Sequence, residues 1–188
     1  MSVGSNMCRA AAAASLVLPL AAGATVRIDV EISSLGGNLW HYDYILSGET
    51  FNAPPAAPGP HGFSIYFDYA VYGALSNEST TNATWDMFSE QPDAGFLRDG
   101  LFDALAGDSP SSTGAPFGID FEWVGTSTPT GIQRFEVYTC ADVDCFSLTV
   151  VQEGNTRPAA TPLPGSLALI AVGLIGLGLR RARRTDDS

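Results

Sequence analysis

The chain has 188 residues, 45% of them hydrophobic, and its 20 acidic residues against 9 basic ones leave a formal net charge of −11. Every basic residue apart from the two histidines is an arginine, and five of the nine arginines lie near the two ends. Because binding to nucleic acid phosphates requires clustered cations, this charge balance excludes nucleic acid as a partner.

The first 24 residues have the organisation of a secretory signal peptide. Arg9 precedes an apolar stretch from Ala10 to Leu20, and Ala22-Gly23-Ala24 places small residues at the −3 and −1 positions of a signal-peptidase site. We therefore predict cleavage after Ala24, with Ala22 and Ala24 as the recognised residues. A buried N-terminal helix is the alternative, but the hydrophobic period changes to that of a strand from Val26 onward.

Residues 25–157 are predicted to form one all-β domain. Apolar and polar residues alternate with a period of two in at least six segments, which gives each strand one apolar and one polar face. Such strands form antiparallel sheets, so we predict an antiparallel two-sheet sandwich, jelly-roll-like or immunoglobulin-like. The segment 82–107 is less regular and is expected to contain a short helix. The alternating segments run over 26–32, 40–46, 63–69, 119–123, 135–139 and 146–150.

The predicted domain is strongly acidic. Without Asp186, Asp187 and the five arginines of the two ends it keeps 18 acidic and 4 basic residues, a net charge of about −14. This charge favours solubility outside the cell, and it suits cations, neutral sugars or a hydrated matrix better than anionic lipid surfaces.

Two cysteines lie in the domain, Cys140 and Cys145, with four residues between them. In an exported protein a pair so close in sequence predicts a disulfide across a tight loop. We predict no metal site at these thiols, because His41 and His61 are the only histidines and no Cys-x-x-Cys spacing is present.

No segment predicts a catalytic site. Gly107-Asp108-Ser109 is similar to the nucleophile block of GDS-type esterases, but it lies in a Pro- and Ser-rich loop rather than after a first strand. His41 and Asp43 share one face of a strand, where a solvated or half-buried pair is expected more than a metal or catalytic site. Carboxylate pairs for glycoside hydrolysis arise by chance in so acidic a domain. The candidates are Asp68, Asp86, Asp93, Asp99, Asp103, Asp120 and Glu122.

Two kinds of binding site remain as alternatives. Calcium would find oxygen ligands in the loops 91–95 and 142–144, although no EF-hand spacing is present, and we predict no other cofactor. Exposed aromatic side chains could stack on sugar rings, although aromatic residues of a sandwich are more often in the core. The aromatic candidates are Tyr42, Tyr66, Tyr72 and Trp85.

The segment from Thr161 onward has three parts in a fixed order. A turn with Pro162, Leu163 and Pro164 is followed by an apolar run over 167–179, and then by Arg180, Arg181, Arg183 and Arg184. An apolar run that ends in arginines stops in a membrane with its positive end in the cytoplasm. We predict a linker and motif at 158–166, a transmembrane helix with its arginine cluster at 167–184 and a tail at 185–188. The 13-residue run spans about 20 Å of the roughly 30 Å of hydrocarbon, so a short or tilted permanent anchor is the alternative to a transient one.

This order of proline motif, apolar run and arginine cluster resembles the PEP-CTERM sorting signal of Gram-negative bacteria, most closely its VPLPA variant. Leu163 stands where the main family has Glu, and Thr161 and Gly165 stand where the variant has Val and Ala. The resemblance implies that the tail is held in the inner membrane and is then recognised and removed by an exosortase.

The central segments resemble an uncharacterised β-rich domain that recurs in proteins with this signal. The segments are LWHYDYIL (39–46), FSIYFDYAVY (63–72), WDMFSEQPDAGFLRDGLFDAL (85–105), FEWVGTSTPTG (121–131) and RFEVY (134–138). This resemblance supports the class of protein and implies no catalytic residue.

The expected function is that of an exported, exosortase-sorted, non-enzymatic protein of the cell surface or extracellular matrix, associated with exopolysaccharide and biofilm. Its expected partners are signal peptidase and exosortase during export, the inner membrane through the C-terminal helix, and then exopolysaccharide or surface matrix. A carbohydrate-binding module, with or without calcium, is the first alternative, and a secreted hydrolase is the second.

Overall fold

The computed structural model describes residues 25–55 and 59–159. The predicted signal peptide with its cleavage site, the motif at Pro162 to Pro164, the predicted transmembrane helix and its four arginines lie outside these residues. Between Thr25 and Ala159, in the part described, no helix has the length and apolar character needed to cross a membrane.

Ten β-strands and no helix make up the described residues. The alternation of apolar and polar side chains that predicted strands is seen directly in their burial, since Tyr42 and Tyr44 of β2 are buried while Asp43 and Ile45 are not. The strands are β1 (Arg27–Gly36), β2 (Leu39–Ser47), β3 (Gly62–Phe67), β4 (Tyr72–Thr80), β5 (Trp85–Glu90), β6 (Gly100–Ala106), β7 (Phe117–Trp123), β8 (Arg134–Cys140), β9 (Leu148–Asn155) and β10 (Arg157–Pro158).

The strands form two five-stranded sheets, which confirms the predicted sandwich. The first sheet has the order β10-β1-β2-β7-β4 and the second has the order β5-β6-β3-β8-β9. All neighbours are antiparallel except β10, which lies parallel to β1 at the edge of the first sheet. The pairing of β2 with β7 in one sheet and of β3 with β6 in the other is the nested order of a jelly roll, one of the two forms predicted.

The core between the sheets is mostly aromatic. Phe63 of β3 is fully buried, and its ring centroid lies 5.2 Å from that of Phe117 on β7, in the opposite sheet. Tyr44 of β2 stacks across the same interface on Phe102 of β6, with centroids 6.0 Å apart. These contacts fix which face of the second sheet is inward and which face is outward.

The expected short helix in 82–107 is wrong, because this segment forms β5, a turn and β6. Phe102, Ala104 and Ala106 alternate into the core, and β6 pairs with β3 along its length. The turn is closed by two bonds between the backbones of Asp93 and Arg98, N–H to O distances of 2.8 and 3.0 Å. The partner of β6 on its other side, β3, is distant in sequence, so the local pattern of the segment did not indicate a strand.

The expected apolar face over 146–150 is also not buried. Phe146 is 91% exposed, and Leu148 and Val150 lie on β9, the edge strand of the second sheet. The predicted alternation of apolar and polar residues is present in β9. However, this strand has a neighbour on one side only, and its apolar residues lie on the outward face of the second sheet.

Candidate functional site

A cleft of about 410 Å³ lies on the outward face of the second sheet. Its floor is built by residues that alternate with the core residues of β3, β5, β6 and β8, so the aromatic core fixes their direction. Four carboxylates line it, those of Asp86, Asp103, Glu136 and Asp144, and three aromatic rings lie among them, those of Tyr66, Phe88 and Tyr138. The combination of acceptors and rings in one concavity is suited to a small or extended polar ligand.

The register of the sheet brings these side chains into one row. Phe88 pairs with Asp103, Asp103 pairs with Ser64, and Ser64 pairs with Glu136. Asp86 lies two residues before Phe88 on the same face of β5, which places it diagonally beside Asp103.

Asp103 is the most buried carboxylate of the cleft, only 7% exposed. It accepts hydrogen bonds from the Ser64 hydroxyl (2.6 Å) and from the Tyr138 hydroxyl (2.8 Å). Burial raises the pKa of Asp103, and the charge of Asp86 adds to this, against the opposing effect of the two hydrogen bonds. The Asp103 carboxylate is therefore costly to keep ionised, although the hydroxyls partly stabilise it.

Gly62 makes the contact between Tyr138 and Asp103 possible. A Cβ atom on Gly62 would lie 2.3 Å from the Tyr138 hydroxyl oxygen and 2.7 Å from the Ala104 carbonyl oxygen. The Tyr138 ring lies across this gap in the sheet surface, so any larger residue at position 62 would displace it from Asp103.

Arg134 contacts two residues of the cleft, Glu136 and Tyr66, and is engaged by both. Arg134 contacts Glu136 through Nη1 and Oε1, 2.5 Å apart, and its guanidinium carbon lies 3.7 Å from the centroid of the Tyr66 ring. The Tyr66 hydroxyl donates to the other oxygen of Glu136 at 2.7 Å. Burial and the neighbouring Glu136 raise the pKa of Tyr66 to about 12, so its hydroxyl stays protonated as a donor.

The wall of the cleft is the loop between β8 and β9. A disulfide joins Cys140 to Cys145, as predicted, and the Asp142 carboxylate accepts the backbone N–H groups of Phe146 (2.9 Å) and Ser147 (3.2 Å). These bonds hold Asp144 and Cys145 against the cleft, so the disulfide positions part of the candidate site.

The predicted pair of His41 and Asp43 lies on the first sheet, away from the cleft. The His41 ring is held between two carboxylates, with Nδ1 2.5 Å from Asp120 and Nε2 3.2 Å from Asp43. Both contacts are hydrogen bonds only when the imidazole is protonated, since a neutral ring has one N–H. Burial lowers the pKa of His41, but the hydrogen bonds and charges of Asp120 and Asp43 outweigh it and raise the value.

His41 should therefore stabilise the fold in acid more than in base. Its pKa is raised in the folded state, so its contribution is complete below pH 6.5 and is lost as pH rises through the folded value. We expect His41→Gln to lower the free energy of unfolding at pH 5.5 by up to about 1 kcal/mol, and by less at pH 8.5. Urea unfolding of both proteins at the two pH values measures this, and a difference that is equal at both would contradict the ion-pair assignment.

The other candidate residues are used within loops. The Ser109 hydroxyl accepts the backbone N–H of Ala53 at 2.9 Å, and Asp108 accepts the hydroxyl of Thr84. In the proposed calcium loops, Asp93 caps the backbone of Gly95, and Asp142 caps the loop that closes the disulfide. Among residues 25–55 and 59–159, no group of three or more His, Cys, Asp or Glu side chains has an arrangement that could hold a metal ion.

Of the seven carboxylates considered for catalysis, Asp86 and Asp103 line the cleft. Of the aromatic candidates, Tyr66 lies in the cleft, whereas Tyr42 and Tyr72 are core residues. Sequence reasoning missed four other residues that line the cleft, namely Ser64, Phe88, Glu136 and Tyr138. The sequence signal for this cleft was the presence of polar residues at alternate positions of β3, β6 and β8. The sequence does not show that these residues lie side by side, because that depends on the register of the strands.

The segment that follows the sandwich has a counterpart among known protein families. Residues 160–184 match the model of the PEP-CTERM protein-sorting motif. The chain carries a PEP-CTERM sorting motif. This motif implies an exported protein that an exosortase sorts, with its C-terminal segment in the membrane at that stage. No curated protein and no solved structure matches the chain. The match begins directly after the described sandwich, so the PEP-CTERM motif says nothing of the cleft, which has to be interpreted from its own chemistry.

Proposed function

We propose that this PEP-CTERM protein is a non-enzymatic component of the cell surface or extracellular matrix that binds exopolysaccharide through the cleft. The sorting motif supports export and delivery through an exosortase. The chemistry of the cleft supports a carbohydrate ligand. The proposal therefore combines the expected matrix function with that of a carbohydrate-binding module.

The observation that carries this proposal is the exposed ring of Phe88 between carboxylates. Phe88 is 50% exposed on β5 and lines the cleft together with Asp86 and Asp103. Sugar rings present apolar C–H faces and hydroxyl edges, so a ring flanked by hydrogen-bond acceptors matches both. In the described part of the chain, Asp86 and Asp144 accept no hydrogen bond, which leaves their oxygens available to sugar hydroxyls.

Glycoside hydrolysis is the second candidate, because Asp103 and Glu136 face the same cleft. They lie two strands apart in one row, which separates their backbones by about 10 Å and is compatible with an inverting pair. However, all four oxygens of these two carboxylates already accept hydrogen bonds from Ser64, Tyr138, Tyr66 or Arg134. A general acid has to present its proton to the ligand, so we favour binding without turnover.

Binding is tested by removing the exposed ring. Phe88→Ala should weaken binding of exopolysaccharide isolated from the producing strain by about tenfold, the effect of one lost stacking contact. Isothermal titration measures the affinity, and reducing-end release from the same polysaccharide measures turnover. Phe96→Ala is the matched control, because Phe96 is 85% exposed and does not line the cleft. Equal losses in both variants, no binding by the wild type, or release of reducing ends would each overturn the proposal.

Processing of the two ends is a separate expectation. The mature chain should begin at Thr25 and end near Pro164, because the small residues at 22–24 suit signal peptidase and the short apolar run suits removal by an exosortase. Intact-mass analysis of the exported protein measures both ends. A mass that includes residues 167–184 would show instead that the segment stays as a permanent anchor.

A further inference from the structure

The carboxylates of the cleft lack positive partners. Within the described ranges, Asp86, Asp103 and Asp144 form no ion pair, and Arg134 is engaged by Glu136. A carboxylate as buried as Asp103 normally has a cation beside it, because burial without one opposes ionisation. Here the charge that affects its pKa is that of a second carboxylate, Asp86, which makes ionisation still less favourable. The described part of the protein therefore supplies no cation at this end of the cleft, and a cationic ligand would favour the ionised form of Asp103.

The surroundings of these carboxylates suit an organic ammonium group better than a metal ion. Asp86 and Asp103 are diagonal neighbours on β5 and β6, and no third His, Cys, Asp or Glu in the part described completes a metal-binding group with them. The rings of Phe88 and Tyr138 border the same space. An ammonium group donates up to three hydrogen bonds to oxygen acceptors and is attracted to aromatic faces.

We propose that the cleft recognises a hexosamine with a free amino group, whose ammonium lies between Asp86 and Asp103 while the sugar face packs on Phe88. This inference rests on the proposed carbohydrate-binding function and specifies its ligand as a polysaccharide with non-acetylated amino sugars. An N-acetyl group removes the positive charge and adds an apolar methyl group, so the acetylated sugar loses the interaction with both carboxylates. The ammonium group of the ligand then provides the positive charge that Asp86 and Asp103 lack. Packing of the sugar on the Phe88 ring adds affinity that does not depend on charge.

The test compares three hexasaccharides at pH 5.5 and constant ionic strength: a glucosamine hexamer, an N-acetylglucosamine hexamer and a glucose hexamer. Isothermal titration with the exported protein should give an affinity for the glucosamine hexamer that is about tenfold to a hundredfold higher than for the other two. Asp86→Asn should reduce this preference by about tenfold. Glu31→Gln removes the same charge from the exposed side of β1, in the other sheet, and should leave the preference unchanged.

Each other outcome contradicts a definite part of the inference. Equal affinity for the three hexamers would leave carbohydrate binding in place and overturn recognition of the amino group. Equal losses in Asp86→Asn and Glu31→Gln would show that net charge attracts the glucosamine hexamer and that the cleft does not recognise it. A lysine hexapeptide that binds as tightly as the glucosamine hexamer would make the ligand a basic peptide. If neither the hexamers nor the isolated exopolysaccharide bind, both this inference and the proposed function are wrong.

Discussion

Phe63→Ala is expected to lower the free energy of unfolding by about 3–5 kcal/mol, the usual cost of removing a buried phenylalanine ring. Phe63 lies on β3 between the two sheets and is completely buried. Its ring contacts four others, with centroids 5.2–6.2 Å away, and the cavity left behind cannot be filled by any one of them. The contacting rings are those of Phe51, Trp85, Phe102 and Phe117.

A loss of this size is a large part of the 5–15 kcal/mol that typically stabilises a domain. Urea unfolding followed by tryptophan fluorescence measures it, since Trp85 packs against Phe63 at 5.9 Å and reports on the same region. Phe96→Ala removes the same side chain from an exposed turn and should change stability by less than about 0.5 kcal/mol. Similar effects of the two substitutions would mean that the sheets do not pack through Phe63.

Removal of the disulfide is expected to reduce both stability and ligand binding. A closed loop of six residues constrains the unfolded chain by about 2 kcal/mol, so Cys140→Ser with Cys145→Ser should lower the free energy of unfolding by about this amount. Asp144 and Cys145 line the cleft, so loss of the crosslink should also weaken exopolysaccharide binding. His61 still accepts the backbone N–H of residue 140 at 2.8 Å, which keeps the end of β8 in place.

Alkylation of the denatured, unreduced protein provides the direct check on this disulfide. Neither Cys140 nor Cys145 should be labelled in freshly secreted material, whereas both should be labelled after reduction. Wild-type protein under reducing conditions should show the same loss of stability as the double variant. Labelling without reduction, or a double variant as stable as the wild type, would contradict the role assigned to the crosslink.

The sandwich was predictable because the period-two pattern is local. Val26, Ile28 and Val30 are buried as the alternation requires, and the same holds for Phe63, Ile65 and Phe67. The edges were harder to predict. β4 carries a largely polar sequence and two register irregularities, and β10 has two residues only, so neither has a pattern long enough to identify it.

The cleft was predictable only in its components. Asp86 and Asp103 were among the carboxylates considered, but nothing in the chain indicates that Asp103 faces Ser64 or that Glu136 lies beyond it. Such neighbours depend on the register of β3 with β6 and β8, and a shift of one residue would turn these side chains into the core. Tyr42 illustrates the converse, since the alternation alone places it on the apolar, inward face of β2, and it is buried there although it was considered as an exposed ring.

The parallel strand β10 limits the distance between the sandwich and the segment that follows it. The backbone N–H of Ala159 donates to the Val30 carbonyl oxygen at 2.8 Å, and the PEP-CTERM motif match begins at the next residue, 160. Even fully extended, the chain from Ala159 to Pro162 covers only about 10 Å, and that to Leu167 less than about 30 Å. An enzyme that acts on the motif therefore works close to the sandwich, within the reach of this short stretch of chain from the edge that β10 forms.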